Sequence, residues 1–153
     1  MGLISGEVIR LGGKHLDSDG LDLLGVLTGS EGLLGVVTEV IVRILPKPEL
    51  ARALLVGFPS VESAGKCVAD VIGAGIIPGG MEMMDRPAIH AAEDFVHVGY
   101  PRDVEALLIV ELDGSEAEVD SLLERVSAIA RECGATTLRA STSDHERLTF
   151  WAG

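Results

Sequence analysis

Three glycines spaced three residues apart, Gly29, Gly32 and Gly35, form the group best suited to hold a ligand. Glycine lacks a Cβ atom, so its backbone can adopt positive φ and a ligand can approach it closely. Amide groups exposed by such a turn can donate hydrogen bonds to a phosphate or a ring carbonyl. Glu31 is anionic, so it suits hydroxyl or amide donors better than a phosphate. A strand turn without any ligand is the alternative interpretation.

The glycine turn runs directly into a β-branched segment. Residues 35–45 are predicted to form a long buried strand, which Pro46 and Pro48 end. The composition changes at Pro46-Lys47-Pro48-Glu49, and this is the predicted domain boundary.

The residues before the turn provide little further structure. Residues 6–11 alternate in polarity and are predicted to form a strand. Leu21 to Leu27 are predicted to form a short helix capped by Asp17-Ser18-Asp19-Gly20. Two strands and one short helix are too few to enclose a core. Residues 1–46 are therefore interpreted as the end of a larger domain.

Beyond the boundary the pattern reads β-α-β-α-β-α-β. The predicted strands are Ala51 to Phe58, Ile77 to Met84, Glu105 to Leu112 and Thr136 to Ala140. The predicted helices begin at Ser60, after Asp85 and after Ser115, and a last one is capped by Asp144. If the helix over 86–98 is an insertion, the remainder is the split βαβ of a ferredoxin-like sandwich. The predicted fold class is α+β, with two helices on one face of the sheet.

Charge and cysteine content restrict the function classes. The 153-residue chain has a net charge of -12, which disfavours binding to nucleic acid or anionic membranes. No apolar run reaches the roughly 20 residues of a membrane span, and no signal peptide is recognisable, so we expect a cytoplasmic protein. Cys67 and Cys133 fall at apolar helix positions and are expected to be buried free thiols.

The other polar candidates give weaker signals. His90 and His97 lie seven residues apart on one predicted helix, which separates them by roughly 10 Å, too far to share one metal ion, so no metal site is predicted. Asp85 is interpreted as a helix cap. Glu82 lies on a strand and faces away from Met81 and Met83. It is a candidate substrate contact, with a surface position or a salt bridge on the sheet face as the alternatives.

Several literal strings carry a resemblance. The string Gly29-Ser30-Glu31-Gly32-Leu33-Leu34-Gly35-Val36-Val37-Thr38-Glu39, closing on Leu45-Pro46-Lys47-Pro48, resembles the end of the FAD-binding domain in FAD-linked oxidases of the vanillyl-alcohol oxidase superfamily. It is most similar to the group of glycolate oxidase flavin subunits and D-lactate dehydrogenases, in which a Thr is usual where this chain has Leu33. Further matches are Met81 to Arg86, Ala106 to Gly114 and Leu148 to Gly153.

The resemblance implies a function and a cofactor. The full-length protein would bind FAD and oxidise a small 2-hydroxy acid, glycolate or D-lactate, by hydride transfer to the flavin, with electron-transfer subunits as possible partners. The residues it assigns to FAD are Gly29, Ser30, Glu31, Gly32, Gly35 and Val36. Residues 1–46 would end the FAD-binding domain and residues 50–153 would begin the substrate domain.

The resemblance also implies that this chain is an internal fragment, and we expect it to be inactive alone and not to retain FAD. No catalytic residue is assigned within it. The alternative is an independent ferredoxin-like module for binding or dimerisation, for which a homodimer is plausible.

Overall fold

The structure is a computed structural model that describes residues 1–14 and 20–153. It divides into two compact units, Met1–Pro46 and Lys47–Gly153. Most of the cap predicted at Asp17-Ser18-Asp19-Gly20 lies outside the described residues. None of the described helices is long and apolar enough to cross a membrane.

Among its described residues, the first unit contains one short helix. This helix, α1, spans Leu23–Leu27, and its N-cap is Asp22, whose side chain accepts a hydrogen bond from the amide of Gly25 at 2.9 Å. The helix therefore begins two residues later than the predicted Leu21, because Asp22 provides the acceptor that an N-terminal turn requires.

The two strands predicted in the first unit are wrong. In place of a strand over 6–11, Val8 forms a single bridge to Gly2, and in place of a strand over 35–45, Val36 forms a single bridge to the same residue. A β-strand needs a neighbour along its whole length, and Gly2 offers one only locally. Among the described residues, 37–45 join no β-ladder.

The second unit contains four strands and four helices. The strands are β1 (Leu50–Phe58), β2 (Gly80–Asp85), β3 (Ala106–Gly114) and β4 (Thr137–Ala140). The helices are α2 (Val61–Gly73), α3 (Arg86–Val96), α4 (Glu116–Glu132) and α5 (Asp144–Phe150). The strands form one antiparallel sheet in the order β2-β3-β1-β4. This order is that of a split βαβ sandwich, so the predicted α+β ferredoxin-like fold is confirmed.

One face of the sheet carries the larger core. Alternate residues of β1 and β3 point to it, including Leu54, Val56, Leu108 and Val110, and they pack against α2 and α4. Helix α4 begins with a capping box in which Ser115 and Glu118 exchange hydrogen bonds. The two helices predicted on one face are α2 and α4.

The opposite face carries a second, smaller core that the prediction did not include. Leu55, Leu107 and Ile109 point to this face and pack with Ile89 of α3 and Phe150 at the end of α5. The inserted helix α3 thus packs against the sheet. We call the side of the sheet that α3 and α5 cover the α3/α5 face.

Helix caps explain several boundaries. Asp85 caps α3 as predicted, since its side chain accepts from the amide of Ala88 at 3.0 Å. Helix α5 is capped by Ser143, which accepts from Glu146 N at 3.2 Å, and not by the predicted Asp144. Strand β2 begins at Gly80 instead of Ile77, because Pro78 has no amide proton to donate to a ladder.

Candidate functional site

The predicted glycine loop of the first unit forms a tight turn from Ser30 to Leu33. The amide of Leu33 donates to the carbonyl of Ser30 at 2.9 Å. Both central residues are left-handed, Glu31 at φ 51° and Gly32 at φ 82°, the pattern of a type I′ turn. A left-handed conformation is common for glycine but unfavourable for glutamate. The turn therefore holds the backbone of Glu31 in a strained conformation.

Gly35 is required by the backbone that lies beside it. Its φ is +154°, and a Cβ atom at this position would lie 2.7 Å from the carbonyl oxygen of Gly2. The adjacent residue Val36 exchanges two backbone hydrogen bonds with Gly2, at 2.8 and 2.9 Å. This pairing fixes the end of the turn against the first residues of the chain.

The turn leaves open backbone on its outer side. A Cβ atom at Gly29 or Gly32 would meet no atom of the described residues within 4 Å, and Gly29 has φ +81°. Within residues 1–14 and 20–153, the amides of Gly32 and Gly35 donate to no acceptor. Val36 is exposed and Ser30 is half-buried. The predicted cluster of Gly29, Ser30, Glu31, Gly32, Gly35 and Val36 is therefore brought together as a short surface with free donors.

Glu82 lies on the α3/α5 face of the second unit. It is opposite Ile109 in the pairing of β2 with β3, and Ile109 belongs to the core on that face. Met81 packs against the larger core on the other side. Glu82 is exposed, and it forms no ion pair among the described residues. Of the alternatives left open by the sequence, the structure does not support a salt bridge.

A charged cluster on the same face escaped the sequence analysis. Glu111 lies in the middle of β3 between Val110 and Leu112, which face the larger core. Its Oε2 accepts hydrogen bonds from Arg147 Nη1 and from Trp151 Nε1, both at 2.8 Å. A single acidic residue within the apolar run Ala106 to Leu112 was the signal that could have indicated it.

Arg147 is shared between two carboxylates. Its Nε donates to Asp144 at 3.2 Å while its Nη1 pairs with Glu111. The hydrogen bond to Glu111 raises the pKa of Arg147 above its ordinary value. The side chains of Glu111 and Arg147 are only 21% and 19% exposed, so water screens this pair less than it screens the other ion pairs of the second unit.

A second ion pair fixes the start of α5 to β4. Glu146 accepts from Arg139 Nη2 at 2.8 Å and from both the amide and the hydroxyl of Thr142 at 2.8 Å. These bonds, with the amide of Thr142 the strongest contributor, lower the pKa of Glu146 to about 2. The guanidinium carbon of Arg139 also lies 4.8 Å from the ring centroid of Phe150, a distance suited to a cation–π contact.

The remaining candidates are two histidines and the two cysteines. His90 Nε2 lies 3.1 Å from the carbonyl oxygen of Arg102, and His97 is the left-handed C-cap of α3. The described residues include no group of three or more His, Cys, Asp or Glu side chains placed to hold a metal ion. Cys67 and Cys133 are free and buried, as predicted.

Comparison with known proteins identifies the family that the chain resembles. The sequence profile of the family described as "FAD linked oxidases, C-terminal domain" matches residues 47–153. The Glycolate oxidase subunit GlcD of Escherichia coli is 56% identical over 150 residues, which cover 98% of this chain and 30% of that protein. The GlcD subunit of Bacillus subtilis is 37% identical over 97% of this chain and 32% of its own length.

More distant relatives extend the comparison. The D-lactate dehydrogenase of Anaerostipes hadrus is 27% identical over 98% of this chain and 33% of its own length. A solved structure of alkyldihydroxyacetonephosphate synthase has a TM-score of 0.59 at 18% identity, over 87% of this chain and 29% of that one, and it is similar in fold. The chain thus spans about a third of the length of these relatives.

Proposed function

This chain belongs to the family of FAD-linked oxidases, and we propose that it is part of a flavoprotein that oxidises a small 2-hydroxy acid such as glycolate or D-lactate. The observation that carries the proposal is the 56% identity to a glycolate oxidase subunit, which runs through both units of the chain. The similarity to D-lactate dehydrogenases supports the same substrate class.

The glycine turn fits the part of an FAD site that the proposal requires. Its open backbone at Gly29 and Gly32 and its free amides at Gly32 and Gly35 suit the polar atoms of a flavin nucleotide. When bound, FAD would accept the hydride of the substrate α-carbon, chemistry that no side chain provides. Ser30, Glu31 and Val36 would add contacts around the turn, with Glu31 accepting hydrogen bonds.

The domain assignment follows from the same proposal. Residues 1–46 would be the end of the FAD-binding domain, and residues 50–153 the first part of the substrate domain. Val40, Ile41, Val42 and Ile44 are between 69% and 85% exposed, which is unusual for apolar residues so close together in the chain. In the full-length protein we expect this segment to pair as a strand with other parts of the FAD-binding domain.

The exposed edge of the α3/α5 face at Glu82, on strand β2, is the part of the second unit that we assign to the substrate. Glu82 is exposed there without an ion-pair partner among the described residues, so it is available to accept a hydrogen bond from a substrate hydroxyl. The negative net charge of the chain provides no general attraction for a carboxylate substrate. Affinity would therefore come from local contacts.

We expect this chain to work with electron-transfer subunits and with the remainder of the FAD-binding and substrate domains. The relatives from Escherichia coli and Bacillus subtilis are named subunits, so we propose that this protein also works with further polypeptides that carry electrons onward. The 153-residue chain alone would neither retain FAD nor oxidise the substrate, because a dinucleotide site needs many converging contacts.

The test is purification of the full-length protein and assay of dye reduction with a panel of hydroxy acids. We expect bound FAD and dye reduction with glycolate or D-lactate, but none with 3-hydroxybutyrate, whose hydroxyl is on the β-carbon. A protein of about the length of this chain, purified from the source cells without flavin, would instead support the independent binding module.

A further inference from the structure

The Glu111 carboxylate connects three separate parts of the second unit through one oxygen atom. Oε2 holds Arg147 of α5 and the indole of Trp151, which follows α5. The ring of Trp151 also covers Gly80 of β2, where a Cβ atom would lie 3.3 Å from ring carbons Cζ2 and Cη2. The central strand, an edge strand and the turn after α5 thus meet at this side chain.

The turn from Trp151 to Gly153 is held from its other side by Tyr100. The Tyr100 hydroxyl donates to the carbonyl oxygen of Phe150 at 2.6 Å. A Cβ atom at Gly153 would lie 2.6 Å from Tyr100 ring and hydroxyl atoms. The turn is therefore held on the α3/α5 face by Glu111 on one side and by Tyr100 on the other.

The charge of Glu111 follows apolar residues on the same face of β3. A half-buried ion pair can often be replaced by apolar side chains of similar volume without loss of stability. The neighbouring positions Leu107 and Ile109 on the same face of β3 are apolar and fully packed. A leucine in place of Glu111 would fit this pattern, but it would leave the indole N–H and the guanidinium without their shared acceptor.

We propose that Glu111 is a positioning residue: it holds Trp151 and Arg147 in place and thereby sets how tightly the α3/α5 face binds the 2-hydroxy acid. The inference rests on the proposed function for the substrate and on the geometry for the positioning. Gln keeps an amide oxygen that can accept from Trp151, whereas Leu keeps only the volume. The two variants therefore separate the hydrogen bond from the packing.

The test compares Glu111→Leu, Glu111→Gln and the control Asp120→Asn in the full-length protein. Asp120 pairs with Arg52 at 3.1 Å on the exposed surface of α4, so its variant removes an ion pair away from the α3/α5 face. Hydrogen–deuterium exchange of the amides of residues 150–153 reports the position of the turn. Steady-state kinetics with glycolate and D-lactate report KM and kcat separately.

We expect Glu111→Leu to increase exchange at residues 150–153 and to raise KM roughly five- to tenfold with little change in kcat, as removal of binding alone does. In Glu111→Gln the exchange at residues 150–153 and the KM should both return most of the way to the wild-type values. Asp120→Asn should change neither the exchange nor the KM. Unchanged exchange in Glu111→Leu would overturn the positioning role whether or not the protein is active. Faster exchange with unchanged KM, or a wild-type protein that oxidises neither acid, would overturn the link to the substrate.

Discussion

The hydroxyl of Tyr100 donates a hydrogen bond to the backbone carbonyl oxygen of Phe150, 2.6 Å away, and both residues are buried in the smaller core. Fifty residues of sequence separate them. This bond joins the loop after α3 to the end of α5, and burial raises the pKa of the Tyr100 hydroxyl above its ordinary value.

Removal of this hydroxyl should destabilise the second unit. In Tyr100→Phe the carbonyl of Phe150 loses its donor within the core, which costs about 1–2 kcal/mol in the free energy of unfolding. Denaturant unfolding followed by circular dichroism measures the difference. Thr149→Val is a suitable control, because it removes an exposed hydroxyl that donates to His145 O and should cost less. If the two variants lost the same free energy of unfolding, the stabilising role of the Tyr100 hydrogen bond would be contradicted.

Glu146 should stabilise the protein at neutral pH and lose that effect in acid. Its pKa is about 2 in the folded protein against 4.5 in the unfolded chain. A depressed pKa gives stability that is fully present above pH 4.5 and is lost as the pH falls towards 2. The melting temperatures of wild type and Glu146→Gln should therefore differ at pH 7 and converge between pH 4.5 and 2. A difference that is constant across this range would contradict the prediction.

The two cysteines should resist alkylation in the folded protein. Burial raises the pKa of Cys67 to about 12, and the pKa of Cys133 is raised by burial and by the hydrogen bond of its thiol to Asp70, at 3.3 Å. Thiolates are the reactive species, so iodoacetamide should modify neither residue until denaturant is added. Mass spectrometry counts the modified thiols. Rapid labelling of Cys67 under native conditions would show that the contact of α2 with α4 opens readily.

Gly35 should be the least replaceable residue of the glycine turn. In Gly35→Ala the new methyl group would collide with the carbonyl of Gly2 and the residue would hold φ at +154°, so we expect the full-length protein to lose most of its FAD. In Gly32→Ala the new methyl group would meet no described atom within 4 Å, so only the strain of φ at +82° acts. This strain costs roughly 1 kcal/mol, and the variant should retain more FAD than Gly35→Ala.

The control for the glycine variants is Gly13→Ala, which has no positive φ and, among the described residues, no atom within 4 Å of the new methyl group. The flavin content per polypeptide, measured after gel filtration, ranks the variants Gly35→Ala, Gly32→Ala and Gly13→Ala. Equal flavin content in Gly35→Ala and Gly13→Ala would remove the glycine turn from the proposed FAD site.

Local signals in the sequence were sufficient for most of the second unit. Asp85 followed by Arg86-Pro87 indicated the start of α3, and the alternation of apolar segments indicated the split βαβ order, because each of these features acts over a few neighbouring residues. The cap of α5 was assigned to Asp144 instead of Ser143, since both residue types can accept the same hydrogen bond.

The remainder depends on contacts that sequence neighbours do not determine. The strand predicted over 35–45 requires a partner strand, and the described residues offer only a bridge at Gly2. The role of Glu111 depends on Arg147 and Trp151, which are 36 and 40 residues away. The assignments of Gly29, Ser30, Glu31, Gly32, Gly35 and Val36 to FAD and of Glu82 to the substrate remain predictions.

The most direct test of the proposed function is the anaerobic addition of glycolate or D-lactate to the purified full-length protein, with the absorbance of oxidised flavin as the readout. We expect the protein to be purified with FAD and one of the two acids to bleach the flavin, while 3-hydroxybutyrate leaves it oxidised. Bound FAD that stays oxidised with both acids would contradict the proposed substrate class, and a full-length protein without flavin would contradict the proposed function as a whole.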